Sequence, residues 1–319
     1  MRLATFNVGA TRTIGALVRD CYVDLPALTG GQLPADMIVF LRLGADGMKR
    51  AREALAGIEG RLQPGKLQGL TGPTGARCAY EAAEIVLDAP VPRPGKIIHT
   101  SCNFTSHLAE LTTWQEPEWQ SHNWKNFHFE HPTGFLEAPS SVVGTGAKVP
   151  IPHFTRQLDY EIEIAIVIGR KAFRVPAADA MQYVAGYTIF NDLSARDIQA
   201  REHSNKVILL GKSFDGSCPF GPHLVTPDEL GNPHELAMKL AVNGKVRQDS
   251  STAQMHYKTA ELVAWWSNMT LEPGDIITSG SPPGVAAGMA KPEWLQPGDL
   301  VEAHIDKLGT LTTHIVQGN

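Results

Sequence analysis

The segment Asp159-Tyr160-Glu161-Ile162-Glu163-Ile164-Ala165-Ile166-Val167-Ile168 sets two carboxylates in a run that is otherwise apolar. Successive side chains of a strand point to opposite faces. Tyr160, Ile162, Ile164, Ile166 and Ile168 therefore share one face, and Glu161, Glu163, Ala165 and Val167 the other. Both faces are largely apolar, the pattern of a strand buried on two sides. The glutamate Cα atoms would stand roughly 6.6 Å apart, and each unpaired buried charge would cost several kcal/mol. Two long carboxylate side chains can converge on one cation, whose charge offsets that cost. A strand end where both glutamates meet solvent is the other reading. A second run, Val184 to Phe190, leads into Asn191-Asp192. A third carboxylate after a buried strand favours Mg2+ or Mn2+, with Ca2+ a further option, over zinc.

His107 and Glu110 are three apart and would be neighbours on a helical turn. A glutamate beside an imidazole raises its pKa and can orient it to deprotonate water. A surface ion pair has the same spacing, and on spacing alone it is the favoured reading. Lys212 follows Gly211 in a strand-like run and could equally be a surface lysine.

The elements that must position these groups are mostly strands. Residues 1 to about 30 alternate in short β-like runs, and Asp36 to Leu62 has mostly helical spacing, with Gly44 and Gly47 as possible breaks. Gln63 to Ala76 is rich in Gly and Pro and reads as a linker. Pro90, Pro92 and Pro94 disfavour both helix and central strand, so a boundary is expected between Leu87 and Gly95. Beyond it, Ile162 to Ile168, Val184 to Phe190, Leu240 to Val246, Asp275 to Thr278 and Leu300 to Ile305 are strand-sized, with helical stretches at Ala177 to Val184 and Thr259 to Trp266. The expected class is α+β, mainly β: a small β-rich domain over residues 1–90 and a larger domain over 91–319.

A chain of 319 residues can bury a large core. A net charge of −5 without a basic run argues against a nucleic-acid partner. Cys21, Cys78, Cys102 and Cys218 are scattered, too sparse for a disulfide scaffold or thiolate zinc site. No stretch approaches the ~18 apolar residues of a spanning helix, and the first residues lack a secretory h-region. A cytoplasmic protein without a membrane partner is expected.

From Gly95 to Val316 the sequence resembles the fumarylacetoacetate hydrolase family. Gly95-Lys96-Ile97-Ile98 leads to Asn103-Phe104 and His107-x-x-Glu110, similar to the family's N-Y-x-x-H-x-x-E. Pro139-Ser140-Ser141-Val142-Val143-Gly144 resembles its P-S-S-V-V-G turn. Asp159-Tyr160-Glu161-x-Glu163, Asn191-Asp192-Leu193-Ser194-Ala195-Arg196-Asp197-Ile198-Gln199 and Gly211-Lys212-Ser213-Phe214-Asp215 follow in order, then Leu271-Glu272-Pro273-Gly274-Asp275, Ser279-Gly280-Ser281-Pro282-Pro283-Gly284 and Leu295-Gln296-Pro297-Gly298-Asp299. Each motif is weak alone; together and in order they are specific for the family, though not for one substrate.

The resemblance implies a mixed β-roll core and a homodimer. It makes Glu161, Glu163 and Asp192 the metal ligands, and His107 and Glu110 a proton-transfer dyad on a short lid helix. Gln199, Lys212 and Ser281 would contact substrate, with Ser281 standing where the family usually has Thr. The implied activity is hydrolysis of a C–C bond in a 2,4-diketo acid such as an acylpyruvate. Hydration, decarboxylation or isomerisation of a 2-keto acid is the alternative, since the same enolate chemistry serves all of them; a catalytically silent binding protein is a more distant one.

Two departures stand out. Phe135-Leu136-Glu137 replaces the F-x-K of many relatives, a charge reversal near a mouth for anionic acids. The segment Leu111 to Gly134 is longer than usual and holds Trp114, Trp119, Trp124, Phe127 and Phe129. These rings would either close as a lid over a bulky acyl group, form a dimer contact, or pack the loop onto the core.

Overall fold

The strand Ile162–Ile168 is buried along its whole length. Ile162, Ile164, Ile166 and Ile168 enter one hydrophobic cluster with Leu240, Val301 and Leu311. Ala165 and Val167 enter another with Leu3, Phe40 and Phe220. Core material thus covers both faces, as the apolar alternation requires. The structure is a computed structural model and describes residues 1–114, 116–120 and 130–318.

Two mixed sheets form the α+β framework among the described residues. The larger runs in the order Ala79–Glu81, Cys21–Asp24, Thr11–Val18, Arg2–Val8, Cys218–Val225, Val184–Asn191, Ile162–Ile168, Ile276–Thr278, Ile97–Ser101 and Thr133–Glu137. The smaller runs Lys245–Ser251, Ala237–Val242, Leu300–Ile305, Gly309–Val316 and Ala147–Pro150, and its apolar side chains cover the isoleucine face. Arg2 pairs with Val225 and Leu3 with Leu224, so the N-terminal strands continue the larger sheet.

Two local expectations are corrected. Leu240 to Val246 is not one strand but a hairpin, Ala237–Val242 with Lys245–Ser251. Its turn places Asn243 (φ 51) and Gly244 (φ 75) in the left-handed region that a two-residue primed turn demands. The helical stretch after Asp36 splits into Met37–Arg42 and Gly44–Glu59, breaking at Gly44 (φ 58), whereas Gly47 lies inside the second helix. Among the described residues no helix is long and apolar enough to cross a membrane.

The N-terminal strands carry a buried histidine contact. His223 stacks on Tyr22, and its Nε2 lies 3.0 Å from the Tyr22 hydroxyl. Burial, helped by Arg2, pushes the imidazole down to about 4. An unfolded histidine titrates near ~6.5, so between these values the unfolded chain binds the extra proton. Stability should therefore fall as pH drops through that window, by up to roughly 3 kcal/mol. His223→Gln should flatten this slope, read from urea midpoints at pH 7 and pH 4.5. Equal acid losses in both proteins would place the sensitivity elsewhere.

Candidate active site

Pairing of Ile162 with Asn191 sets Glu161 opposite Asp192 at the ends of neighbouring strands. The Asp192 amide donates to the Glu161 carbonyl (2.9 Å), and the Glu161 amide to Asn191 Oδ1 (3.0 Å). Strand alternation brings Glu163 to the same side as Glu161. Glu161 is 3% exposed, Glu163 and Asp192 0%. The solvent-facing strand end is thereby ruled out. Gly280 donates its amide to Glu163 Oε2 at 2.8 Å. Its φ of +78 and the Thr100 carbonyl, 2.6 Å from where a Cβ would sit, both call for glycine.

Three cations meet these carboxylates. Lys212 Nζ donates to Glu161 Oε2 (2.8 Å) and to Asp192 Oδ2. Arg196 spans Asp159 Oδ2 (2.8 Å), Glu161 Oε1 (2.5 Å) and Gln199 Oε1 (2.9 Å). His99 Nε2 lies 2.9 Å from both Glu163 Oε1 and Asp192 Oδ2. Burial alone would raise the Glu161 carboxyl, but Arg196 and then Lys212 outweigh it and hold it well below the usual range. Burial wins at Glu163, which is pushed up although His99 opposes the shift. For His99 itself, burial disfavours the charged ring, yet Glu163 and Asp192 hold it well above its ordinary value.

The donor set fits a divalent cation. One ligand atom each from His99, Glu161, Glu163 and Asp192 lies within 4.8 Å of the others. Asp192 Oδ1 is buried with no hydrogen-bond partner among the described residues, an orphan that a cation would satisfy.

His107 sits on the helix Thr105–Leu111, one turn from Glu110. Its Nδ1 is 3.1 Å from Glu110 Oε2, and its Nε2 is 3.5 Å from Glu161 Oε1. The pair is therefore not a surface ion pair. Asn103 anchors the approach to this helix through the Tyr257 and Ser279 carbonyls (3.0 and 2.9 Å). Both Glu110 oxygens also accept from the Gly284 amide (2.8 and 3.1 Å), tying the helix to the Ser281 loop.

A cavity of about 190 Å³ opens over the cluster, with His107, Trp119, Phe135, Gln199, Lys212 and Ser281 in its wall. Of the eight sequence-derived candidates, Glu163, Asp192 and Glu110 stand behind the wall, and His107, Glu161, Gln199, Lys212 and Ser281 line the cavity. Lys212 does so from a turn rather than a strand: its amide donates to the Leu209 carbonyl at 3.1 Å. Trp114 and Trp119 are buried against each other, ring centroids 4.8 Å apart, and Trp119 Nε1 donates to the Leu111 carbonyl (3.0 Å). They pack with Leu111 against Ala200, Val285 and Ala287, and Trp119 also walls the cavity. Trp124, Phe127 and Phe129 lie outside the described residues.

Sequence reasoning missed four participants. Asp159 and Arg196 stood in quoted motifs without roles; Asp159 also accepts from the Ala286 and Ala287 amides (2.8 and 3.1 Å). Gln248 reaches in from the smaller sheet, accepting from the Ile162 amide (2.9 Å) and donating to Ser281 Oγ (2.8 Å). The fourth is His99.

Residues 96–316 match the family described as fumarylacetoacetate (FAA) hydrolase C-terminal. A mitochondrial oxaloacetate tautomerase of Rattus norvegicus is 37% identical over 97% of this chain and 87% of its own length. An oxaloacetate tautomerase of Bacillus subtilis (strain 168) is 39% identical over 74% and 75%. The crystal structure of maleylpyruvate hydrolase from Sphingobium sp. SYK-6 in complex with manganese (II) ion and pyruvate covers 100% of both chains, with a TM-score of 0.74 and 29% identity. The chain belongs to the fumarylacetoacetate hydrolase family of enzymes.

Proposed function

We propose that the protein is a divalent-metal-dependent enzyme of keto–enol chemistry, and that it tautomerises oxaloacetate or a close 2-keto diacid. The carrying observation is the dyad's placement, with His107 Nε2 facing Glu161 at 3.5 Å and Glu110 behind Nδ1. Similarity to two oxaloacetate tautomerases supports the choice of substrate.

An ionised carboxylate only accepts hydrogen bonds, so Glu110 keeps the His107 proton on Nδ1 and leaves Nε2 as the basic atom. His107 takes a proton from the carbon beside the keto group, and an imidazole can return it as readily as it takes it. Glu161, Glu163 and Asp192 hold the cation, Mg2+ or Mn2+. When bound it supplies Lewis-acid stabilisation of the charge that develops on the keto oxygen. Lys212, Gln199 and Ser281 bind the anionic and carbonyl oxygens of the substrate.

The enol of oxaloacetate absorbs in the ultraviolet, so its decay reads the reaction directly. Enzyme with Mg2+ or Mn2+ should accelerate that decay, and chelator should abolish the effect. Decay at the buffer rate in all cases would overturn the proposal. Hydrolysis of a 2,4-diketo acid, the activity expected from the sequence, remains a second reading. The similarity to maleylpyruvate hydrolase favours it, and there His107 would deprotonate water instead. Acylpyruvate consumption with equal release of pyruvate would select it.

Lys212→Met tests substrate binding. Losing one charge-assisted hydrogen bond should lower kcat/KM roughly 10–100-fold. Unchanged kinetics would make Lys212 a structural counter-charge.

A further inference from the structure

We propose that His99 is a fourth protein ligand of the cation, that Glu137 accepts its outer N–H, and that this pair biases the centre towards Mn2+ over Mg2+. The inference rests on the three-carboxylate site proposed above and adds an imidazole to it.

Three observations carry it. First, His99 Nε2 already lies among the carboxylate oxygens, 2.9 Å from Glu163 and 2.9 Å from Asp192. Second, two buried polar atoms on neighbouring strands have no partner among the described residues: His99 Nδ1 and Glu137 Oε1. Third, the strand register puts them on one face. His99 pairs with Phe135 and Ile97 with Glu137, and the His99 and Phe135 rings stack with centroids 4.5 Å apart. Glu137 is thus the diagonal neighbour of His99, within side-chain reach.

Glu137 is held from its far side, where Oε2 accepts from Cys218 Sγ at 3.0 Å. It is 2% exposed, so its charge reversal is not a surface feature of the mouth. Metal-ligating histidines almost always donate the second ring N–H to a carboxylate or carbonyl, which fixes the tautomer and strengthens the ligand. A bond from His99 Nδ1–H to Glu137 Oε1 would satisfy both orphans at once. Imidazole also changes the choice of ion. Mg2+ favours oxygen ligands and retained water, whereas Mn2+ tolerates nitrogen.

The test uses the full chain stripped with chelator and reloaded with Mn2+ alone. Pulsed electron paramagnetic resonance of the loaded wild type should show the 14N coupling of one directly bound imidazole, lost in His99→Gln. Calorimetry should show His99→Gln and Glu137→Leu each weakening Mn2+ roughly 10–100-fold, with Mg2+ affinity changing several-fold less. Bound Mn2+ without 14N coupling, or coupling that survives His99→Gln, overturns the ligand assignment while leaving the carboxylate site standing. Unchanged Mn2+ affinity in Glu137→Leu overturns its role behind His99. A wild type that binds no Mn2+ overturns the carboxylate site as well. The wild-type spectrum decides the central point even if a variant fails to fold.

Discussion

Glu163→Gln should leave a folded protein that no longer retains divalent metal and turns over about 10³-fold more slowly. The figure follows from losing several kcal/mol of Lewis-acid stabilisation, each 1.4 kcal/mol being about tenfold. Glutamine keeps the volume and can still accept from the Gly280 amide. What disappears is one negative charge in a fully buried cluster. Because burial already pushes the Glu163 carboxyl up, a neutral side chain suits the site when no metal is present. The melting temperature in chelator should therefore be unchanged or raised. Added Mn2+ should stabilise wild type, as a ligand binding only the folded state does, and leave the variant unmoved. A variant that keeps the Mn2+ shift and its turnover would remove Glu163 from the metal site.

His107→Ala should lower kcat roughly 10²–10⁴-fold, the range of a lost general acid–base group, with Mn2+ affinity changed by no more than a few-fold. Glu110→Gln should lose less, because glutamine still accepts from Nδ1 and from Gly284 while the charge that favours the protonated ring is gone. Burial lowers His107, and the Glu110 and Glu161 contacts raise it above its ordinary value. Calorimetric loss of Mn2+ in His107→Ala would mean that the histidine is a ligand and not the base.

The ligand strand was legible because its chemistry is local. Glu161 and Glu163 interrupt an apolar run at a spacing of two, and Asp192 closes another, so pattern alone exposes them. His99 was not. In Ile97-Ile98-His99-Thr100 a single imidazole in an apolar strand looks like a satisfied core residue, and its partner Glu163 is 64 positions away. Arg196 and Gln248 share that difficulty: their roles depend on register between strands, which sequence periodicity does not specify. Lys212 was recognised while its setting was misread, since a buried turn and a strand end look alike around Gly211. The hairpin at Asn243-Gly244 is different, because the dipeptide signal was present and the flanking apolar residues masked it.

The pairing of Arg2 with Val225 has a consequence for how the molecule is made. Met1 and Thr226, 225 positions apart, bond to each other, and the strand ending at Val225 also pairs with Val184–Asn191, which leads to Asp192. Arg2–Val8 can reach that neighbour only after more than two hundred further residues have left the ribosome. Contacts this distant close large loops and slow folding. Val86–Leu87 covers one edge of Arg2–Val8 at Phe6 and Asn7, but on that edge Arg2 and Leu3 wait for Val225 and Leu224, so nascent chains should depend on holdase chaperones more than a protein of equal size with local pairing.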